Sequence, residues 1–376
     1  MALSRFNHVK ITGFKTVIPE RCVNIDDELE FFDNNPKKLA RAKKMIGYGN
    51  RYVSDKNTTV LDMGVDAARK LLTEMELNLQ DIDLLIFINQ KPDYVIPCDA
   101  CIAHGLLGLP KGCATLNLNL GCSGYVHGLW QAFSLLESGN LKKCLILAGD
   151  IPARDLDPRD RKKAPIFGDA ASATIVEYSE EKSPSTFVLG TDGCGWDKIV
   201  YPFGGRRIPL DKELLDLEVD MESGGKWWGT QGILKGEDVF CFTMDVAPGL
   251  IRQTMAEAGW TPDEVELFAI HQANKQIVGN IVDTAGIPAE KAPTEVFSKY
   301  ANNSTTSVVT VLCDQPSGKE FGKTILCAYG VGLSWGGAAL DMSGAYNGGI
   351  STYVTPKDKP GRQELIDYWI NYAKGE

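Results

Sequence analysis

No stretch of this 376-residue chain strings together the roughly 18 apolar residues that a membrane-crossing helix requires. Its opening residues, MALSRFNHVKITGF, lack a basic segment followed by a continuous apolar run, so neither a span nor an export signal is expected. Positive charge is short too. Lys and Arg number 39 against 49 Asp and Glu, a net charge of −10 that argues against nonspecific binding to nucleic acid. Histidine is scarce, with His8, His104, His127 and His271 making up the 4 in the chain. Cys98 and Cys101 stand as C-x-x-C, but no second pair or histidine group completes a ligand set, so no metal site is expected.

Cysteine itself is not short. Several of the 10 lie inside apolar runs such as KKCLILAG and TILCAYG, which fits reduced core residues of a cytosolic protein better than a disulfide framework. With 44% hydrophobic and 23% charged residues, the chain can bury one large core or two fused ones. The basic residues gather in RAKK (41–44) and RDLDPRDRKK (154–163), which form either solvated faces or a landing place for a phosphorylated or acidic partner.

Apolar strand patterns alternate with helical ones. DIDLLIFINQ (81–90), CATLNLNL (113–120), KCLILAGD (143–150) and SATIVEYS (172–179) read as buried strands, and VLDMGVDAARKLLTEM (60–75) as a helix between them, a βαβ arrangement of the α/β class. The order returns in EVELFAIHQ (264–272), the apolar run around VVTVL (308–312), KTILCAYG (323–330) and GGAALDMS (336–343). LLIFINQ can be laid on LFAIHQ, and GDAASATIVEYS on SWGGAALDMS, so the reading is one unit used twice. The expected division is an N-terminal half at 1–180, a Gly- and Pro-rich connecting excursion at 181–235, a C-terminal half at 236–342 and an extension at 343–376 ending in an amphipathic ELIDYWINYAK.

Three corners carry chemistry. In LNLNLGCSGYVHGLW (116–130) a strand runs through Gly121 and Cys122 into a helix marked by Val126, Leu129, Phe133 and Leu136. A cysteine there sits at a helix N-terminus, where unpaired N–H groups favour a thiolate, and small neighbours allow the sharp turn of a nucleophile elbow. A core cysteine is the competing reading. His271 ends an apolar strand in LFAIHQANKQIV, at the carboxyl edge where α/β sites form, whereas position alone marks the other three histidines as structural. In KYANNSTTSVV, Asn302 and Asn303 precede small hydroxyl residues and an apolar helix; asparagine here caps the helix or donates to a developing oxyanion.

LNLNLGCSGYVHGL, AIHQAN, YANNSTTS and YGVGLSWGGAAL, in this order and spacing, resemble the signature segments of the thiolase superfamily, and most those of β-ketoacyl-acyl carrier protein synthase III. The likeness runs over about residues 5–342 and takes in FGDAASATI and the GNRYV region. It implies a duplicated five-layered αβαβα fold, a homodimer, and coenzyme A or phosphopantetheine thioesters as substrates with no tightly bound cofactor. It makes Cys122 the nucleophile, His271 and Asn302 its partners, and the backbone N–H groups of Cys122 and Val331 the oxyanion hole. The reaction implied is acyl transfer to Cys122 followed by decarboxylative Claisen condensation with a malonyl-type thioester.

The chain departs from that pattern in places. Before GNRYV it reads RAKKMIGYG, with no tryptophan for a nucleotide and with basic residues, Lys43 and Lys44 among them, shifted. Arg154 matches an arginine of the coenzyme A mouth, and Asn274 of AIHQAN is placed with it as a cofactor contact. Acyl carrier protein recognition has Lys275 to use, while the matching position is Gln276. Ile96 stands where the family's neighbouring subunit often supplies a phenylalanine to the acyl pocket, so a longer or branched acyl group is expected. Trp227 and Trp228 fall in a segment that borders the pocket in relatives, or else anchor a loop. These departures point to specialised lipid, polyketide or surface-glycolipid biosynthesis. Transfer to an amine or alcohol, hydrolysis, and a scaffold role are the alternatives. A 3-hydroxy-3-methylglutaryl synthase-like activity is disfavoured because the nearest acid, Asp99, is read as a helix N-cap.

Overall fold

The computed structural model describes residues 1–157, 160, 163–221 and 226–375; part of the basic run at 154–163, and Gly224 and Gly225 ahead of the tryptophans, lie outside these described residues. In chain order the strands of two large sheets are β1 (Ala2–Phe6), β2 (Val9–Pro19), β3 (Leu84–Ile88), β4 (Ala114–Leu118), β5 (Lys143–Asp150), β6 (Ala170–Tyr178), β7 (Ser185–Thr191), β8 (Leu267–Ile270), β9 (Lys323–Gly330), β10 (Ser334–Asp341) and β11 (Tyr346–Tyr353). The helices that cover them are α1 (Pro36–Ile46), α2 (Val60–Glu74), α3 (Asp99–Leu107), α4 (Gly124–Leu136), α5 (Gly236–Ala258), α6 (Lys275–Ala285), α7 (Ser307–Cys313) and α8 (Arg362–Lys374).

The first sheet has the order β11-β2-β6-β5-β3-β4 and the second β1-β7-β10-β9-β8. Their pairing repeats: β3 runs parallel to β5 as β8 does to β9, and β5 runs antiparallel to β6 as β9 does to β10. Both central sheets are buried on two faces, which is why their strands read as unbroken apolar runs. In β3, Leu84, Ile86 and Ile88 face one core while Leu85 and Phe87 face another; in β9, Leu326 and Ala328 join the first of these cores while Ile325, Cys327 and Tyr329 face a third. The shared core holds α4 and α7 between the sheets, α2 and α3 cover the outer face of the first sheet, and α5 and α6 that of the second. Five layers αβαβα result, as the family resemblance implied.

Two details differ from the reading of the sequence. VVTVL is helix α7, the counterpart of α4, and among the described residues the second sheet has no counterpart of β4. LLIFINQ lies on LFAIHQ from their first leucines, Leu84 and Leu267 both facing the shared core and Phe87 and Ile270 both facing outward, and this register is fixed because a slip of one would reverse every side chain of a strand. The faces match when Ile88 is set on His271. The segments also interlock. Ser185–Thr191, within the excursion, belongs to the second sheet and pairs with β1, while β11 of the extension joins the first sheet beside β2. No helix among the described residues is long and apolar enough to cross a membrane.

The shared core is pinned by an aromatic cluster in which Phe133 of α4 lies 5.8 Å from Phe6 and 5.1 Å from Phe187, ring centre to ring centre. Phe133 has no exposed surface. Phe133→Ala is expected to destabilise the fold by about 3–5 kcal/mol, read as a lowered urea midpoint with an unchanged slope. Truncating Leu106, which is 49% exposed on α3, should leave the midpoint within the error of the measurement.

Candidate active site

Cys122 lies between the end of β4 and the start of α4, with Ser123 as the helix N-cap. Close approach fixes the corner. A side chain on Gly121 would strike Val331 and Gln90, and one on Gly330 would come within 2.7 Å of the Cys122 Cβ and 2.9 Å of its Sγ. Gly330 ends β9 and hands the chain to Val331, whose carbonyl accepts from Ser334 Oγ at 2.8 Å. Because the Ser334 proton is used there, Ser123 Oγ donates to Ser334 Oγ at 2.7 Å and ties the two corners together. The backbone N–H groups of Cys122 and Val331 both act on the Cys122 sulfur.

Beneath the sulfur is a polar floor that the sequence reading did not single out. Asp150, at the end of β5, accepts from Thr305 Oγ1 at 2.6 Å, from Thr305 N at 3.2 Å and from Gln90 Nε2 at 3.0 Å. Gln90 Nε2 also donates to Ser304 Oγ at 3.1 Å, and Ser304 Oγ lies 3.8 Å from the Cys122 Sγ. Ala301 and Ser304 have φ of 59° and 51°, strained for residues with side chains, and they flank Asn302 and Asn303. The turn is over-determined: Asn302 N donates to Ile166 O, its carbonyl accepts from Gly168 N, and Asn303 Nδ2 donates to Tyr300 O. The only hints in the sequence are the small hydroxyl run after Asn303 and an aspartate closing an apolar strand.

Burial sets the charges. Loss of solvent, with the Asp150 carboxylate adding to it, pushes the Cys122 thiol up to about 11 despite the Ser304 and backbone donors. The thiolate expected from the helix N-terminus is therefore not the resting form. Burial likewise takes His271 down to about 3, so its imidazole is neutral. His271 Nδ1 is buried without a partner among the described residues, and a lone pair is cheaper to leave unpaired there than a proton, which assigns the proton to Nε2. Asn302 is oriented by the Ser304 N–H, which donates to its Oδ1 at 2.8 Å and so turns its NH2 the other way.

Cys122, His271, Asn302, Asn274 and Val331 all line one cavity of about 510 Å³. Its walls are mostly apolar and include Ile199, Val200, Ile233 and Leu234 from the excursion and Val239 and Phe240 from α5. Asn274 spends its Oδ1 capping α6, accepting from Ile277 N at 2.8 Å. Other sequence candidates are not brought to the cavity. The Arg154 guanidinium is held by the Thr58 carbonyl and by Asp155. Lys43 bonds Asp26 and Lys44 is exposed on α1. Ile96 is 83% exposed on a loop. Trp227 donates to Gln231 O and packs on Phe203, and Trp228 donates to Glu218, so the pair anchors the excursion. Asp99 begins α3 and accepts from Asn89 at 2.6 Å.

Two interlocked sheets enclosing a cysteine, a histidine and an asparagine define a thiolase-type acyltransferase. The chain belongs to the 3-oxoacyl-[acyl-carrier-protein] synthase III family, whose members condense acyl thioesters. Residues 116–193 match the family model for 3-oxoacyl-[acyl-carrier-protein (ACP)] synthase III, and 255–342 match the model for its C-terminal part. A putative 3-oxoacyl-[acyl-carrier-protein] synthase 3 of Campylobacter jejuni is 35% identical over 360 residues, covering 94% of this chain and 99% of that protein. A β-ketoacyl-[acyl-carrier-protein] synthase III of Clostridium perfringens is 28% identical over 340 residues, 89% of this chain and 99% of its own. The crystal structure of a 3-oxoacyl-(acyl-carrier protein) synthase from Burkholderia xenovorans superposes with a TM-score of 0.84 at 31% identity, over 94% of this chain and 99% of that one.

Two measurements test the geometry. With the thiol near 11, thiolate is about one part in ten thousand at pH 7, so iodoacetamide labelling of the Cys122 peptide should rise about tenfold per pH unit up to about pH 10. A plateau below pH 8 would contradict the burial argument. Gly330→Ala should displace the sulfur and slow acylation about a hundredfold, since misplacement by about 1 Å has that cost.

Proposed function

We propose that Cys122 accepts an acyl group from a coenzyme A or carrier-protein thioester and passes it to a malonyl-type thioester with loss of carbon dioxide. The observation that carries this reading is the convergence of the Cys122 sulfur, two backbone N–H groups and the His271 and Asn302 side chains on one apolar cavity. In the first half-reaction the thioester carbonyl oxygen sits between the N–H groups of Cys122 and Val331, which are in place before charge develops. Sulfur attacks and the substrate thiol departs with a proton, so the neutral resting thiol needs no net base. In the second half-reaction the malonyl carboxylate leaves as carbon dioxide. The enolate oxygen takes hydrogen bonds from His271 Nε2 and the Asn302 amide, both neutral donors that do not attract the carboxylate itself. The enolate carbon attacks the acyl-cysteine, the C–S bond breaks, and the released thiolate, of high basicity in its buried site, takes a proton.

No resident cofactor is needed, because the thioester brings its own coenzyme A or phosphopantetheine arm. Apolar walls from the excursion favour an acyl group beyond acetyl and a role in specialised lipid or polyketide assembly. Ile96, turned out of its own chain's cavity, can act only in that of a second copy. Exposed Val95 and Leu116 and the outer edge of β4 supply a surface for such a homodimer.

Wild type and Cys122→Ala are to be mixed with acyl-coenzyme A and acyl-carrier-protein thioesters from acetyl through medium chains, and intact masses read. Wild type alone should gain an acyl group. Malonyl thioester should then release labelled carbon dioxide, and His271→Ala and Asn302→Ala should keep acylation while losing about 10²–10³ of that release. Acylation without any malonyl-dependent release would replace condensation by transfer to another acceptor.

A further inference from the structure

Residues 89–98 join β3 to α3 and carry Ile96, and the base of this loop is fixed. Asn89 Nδ2 donates to Asp99 Oδ2 at 2.6 Å, and Asp93 N donates to Asp99 Oδ1 at 3.1 Å. Asp93 Oδ2 also lies 2.9 Å from the Oγ1 of Thr59, the N-cap of α2. Beyond Asp93 the loop turns away from its own chain, with Tyr94, Val95 and Ile96 all exposed. Tyr94 is met there by Trp369 of α8, the ring centres 5.6 Å apart and the planes at 79°.

The C-terminal extension reaches the loop at two levels. At the lower one Lys359 pairs with Asp62, and Asp62 Oδ2 is 2.9 Å from the same Thr59 Oγ1 that contacts Asp93. Lys70 of α2 adds a bond to the Thr352 carbonyl at 2.9 Å, and Thr58 and Thr355 are joined through their hydroxyls at 2.9 Å. The upper level is α8 itself. None of its residues is buried, and its aromatic rings touch one another, Trp369 lying 5.0 Å from Tyr368 and 5.8 Å from Tyr372. Among the described residues the ring contact that carries this group to the rest of the chain is the one with Tyr94.

We propose that α8 braces the loop, and that Trp369, through Tyr94, sets how far Ile96 reaches into the acyl cavity of a second copy; this rests on the reading that Ile96 acts there. Trp369 is a positioning residue in this scheme. A side chain that closes an apolar pocket discriminates between acyl lengths only while its backbone does not yield, and a loop tip tied solely at its base yields. An edge-to-face ring pair two residues from Ile96 removes that freedom. The brace calls for no solvent at the loop and holds with a second copy packed on Val95 and Ile96.

Full-length wild type is to be compared with Trp369→Ala, Trp369→Phe, Ile96→Ala and the variant carrying both Trp369→Ala and Ile96→Ala. Hydrogen exchange of the amides in peptides covering 93–98 needs no catalysis. It should quicken about three- to tenfold in Trp369→Ala, the range one lost ring pair allows, and stay near wild type in Trp369→Phe. Acylation of Cys122 by octanoyl- and acetyl-coenzyme A gives a ratio of kcat/KM values. Ile96→Ala should move that ratio toward octanoyl about tenfold and Trp369→Ala about threefold, with the double variant going no further than Ile96→Ala. Unchanged exchange in Trp369→Ala overturns the brace. So does a ratio change that adds to that of Ile96→Ala, because the helix then acts by another route. An unchanged ratio in Ile96→Ala instead overturns the role of Ile96 in the cavity, and the effect of α8 on specificity falls with it. A wild type that accepts neither acyl group overturns the acyl-transfer reading, and the exchange rates alone then decide whether α8 holds the loop.

Discussion

The Cys122 corner depends on one buried carboxylate. Asp150 closes β5 of the first sheet, and through Thr305 and Gln90 it receives three of the hydrogen bonds that hold the floor under Cys122. Thr305 comes from the second half of the chain, 155 residues away, and its Oγ1 also lies 3.0 Å from the Gly121 carbonyl just before Cys122. The strand end of one sheet, the asparagine turn of the other half and the cysteine corner are therefore one hydrogen-bonded body. Burial raises the Asp150 carboxyl above its ordinary range, and the donors around it work in the opposite direction. Removing any one of them leaves an unpaired polar group in the interior, where the cost falls on the geometry of all three segments.

That desolvation decides the chemistry above the floor. A cysteine at a helix start is the setting for a stabilised thiolate, yet here the helix begins two residues later and the sulfur is enclosed, so loss of water outweighs the fixed dipoles. His271 loses its charge for the same reason. The thiol and the imidazole are both neutral, with fixed donors around them, and the two lysines on the cavity wall are ion-paired, Lys91 with Asp155 and Lys163 with Asp160. Neutral donors of this kind hold negative charge developing on an oxygen without themselves attracting a carboxylate. Neutrality at rest is thus consistent with a condensing role, although it lowers the reactivity of the free thiol.

Much of this was legible in the sequence, and the exceptions have a common cause. KCLILAGD is strand β5 over its whole length, the helix after Cys122 ends near the SGN signal, and the three corners carrying Cys122, His271 and Asn302 meet in one cavity. These follow from local pattern: periodicity, turn residues and the places where strands stop. What the pattern could not supply depends on distant partners. Asp150, Thr305 and Gln90 look like ordinary strand-end and cap residues until the halves are brought together. Arg154 reads as a phosphate ligand until the Thr58 carbonyl and Asp155 are seen to occupy it. VVTVL, short, β-branched and apolar, suits a buried strand and a buried helix equally; the strained turn at Ala301–Ser304 starts it as a helix.

The register of the internal repeat shows how a duplicated scaffold yields a single asymmetric site. With the faces matched, Ile88 in the first half occupies the place of His271 in the second, since Phe87 pairs with Leu147 as Ile270 pairs with Cys327, all four facing outward. Side chains on Gly124 and Gly128 of α4 would collide with Ile88. The first half thus uses this position to seat the helix that follows Cys122, and close seating demands an apolar residue against glycine. The second half places a helix of its own, α7, beginning five residues after Asn302, and the equivalent strand position is left to line the cavity with an imidazole. The same strand end cannot both pack a helix that tightly and present a polar ring to a substrate. Two copies of the unit, each resolving that conflict in the opposite way, are what bring Cys122, His271 and Asn302 to one cavity.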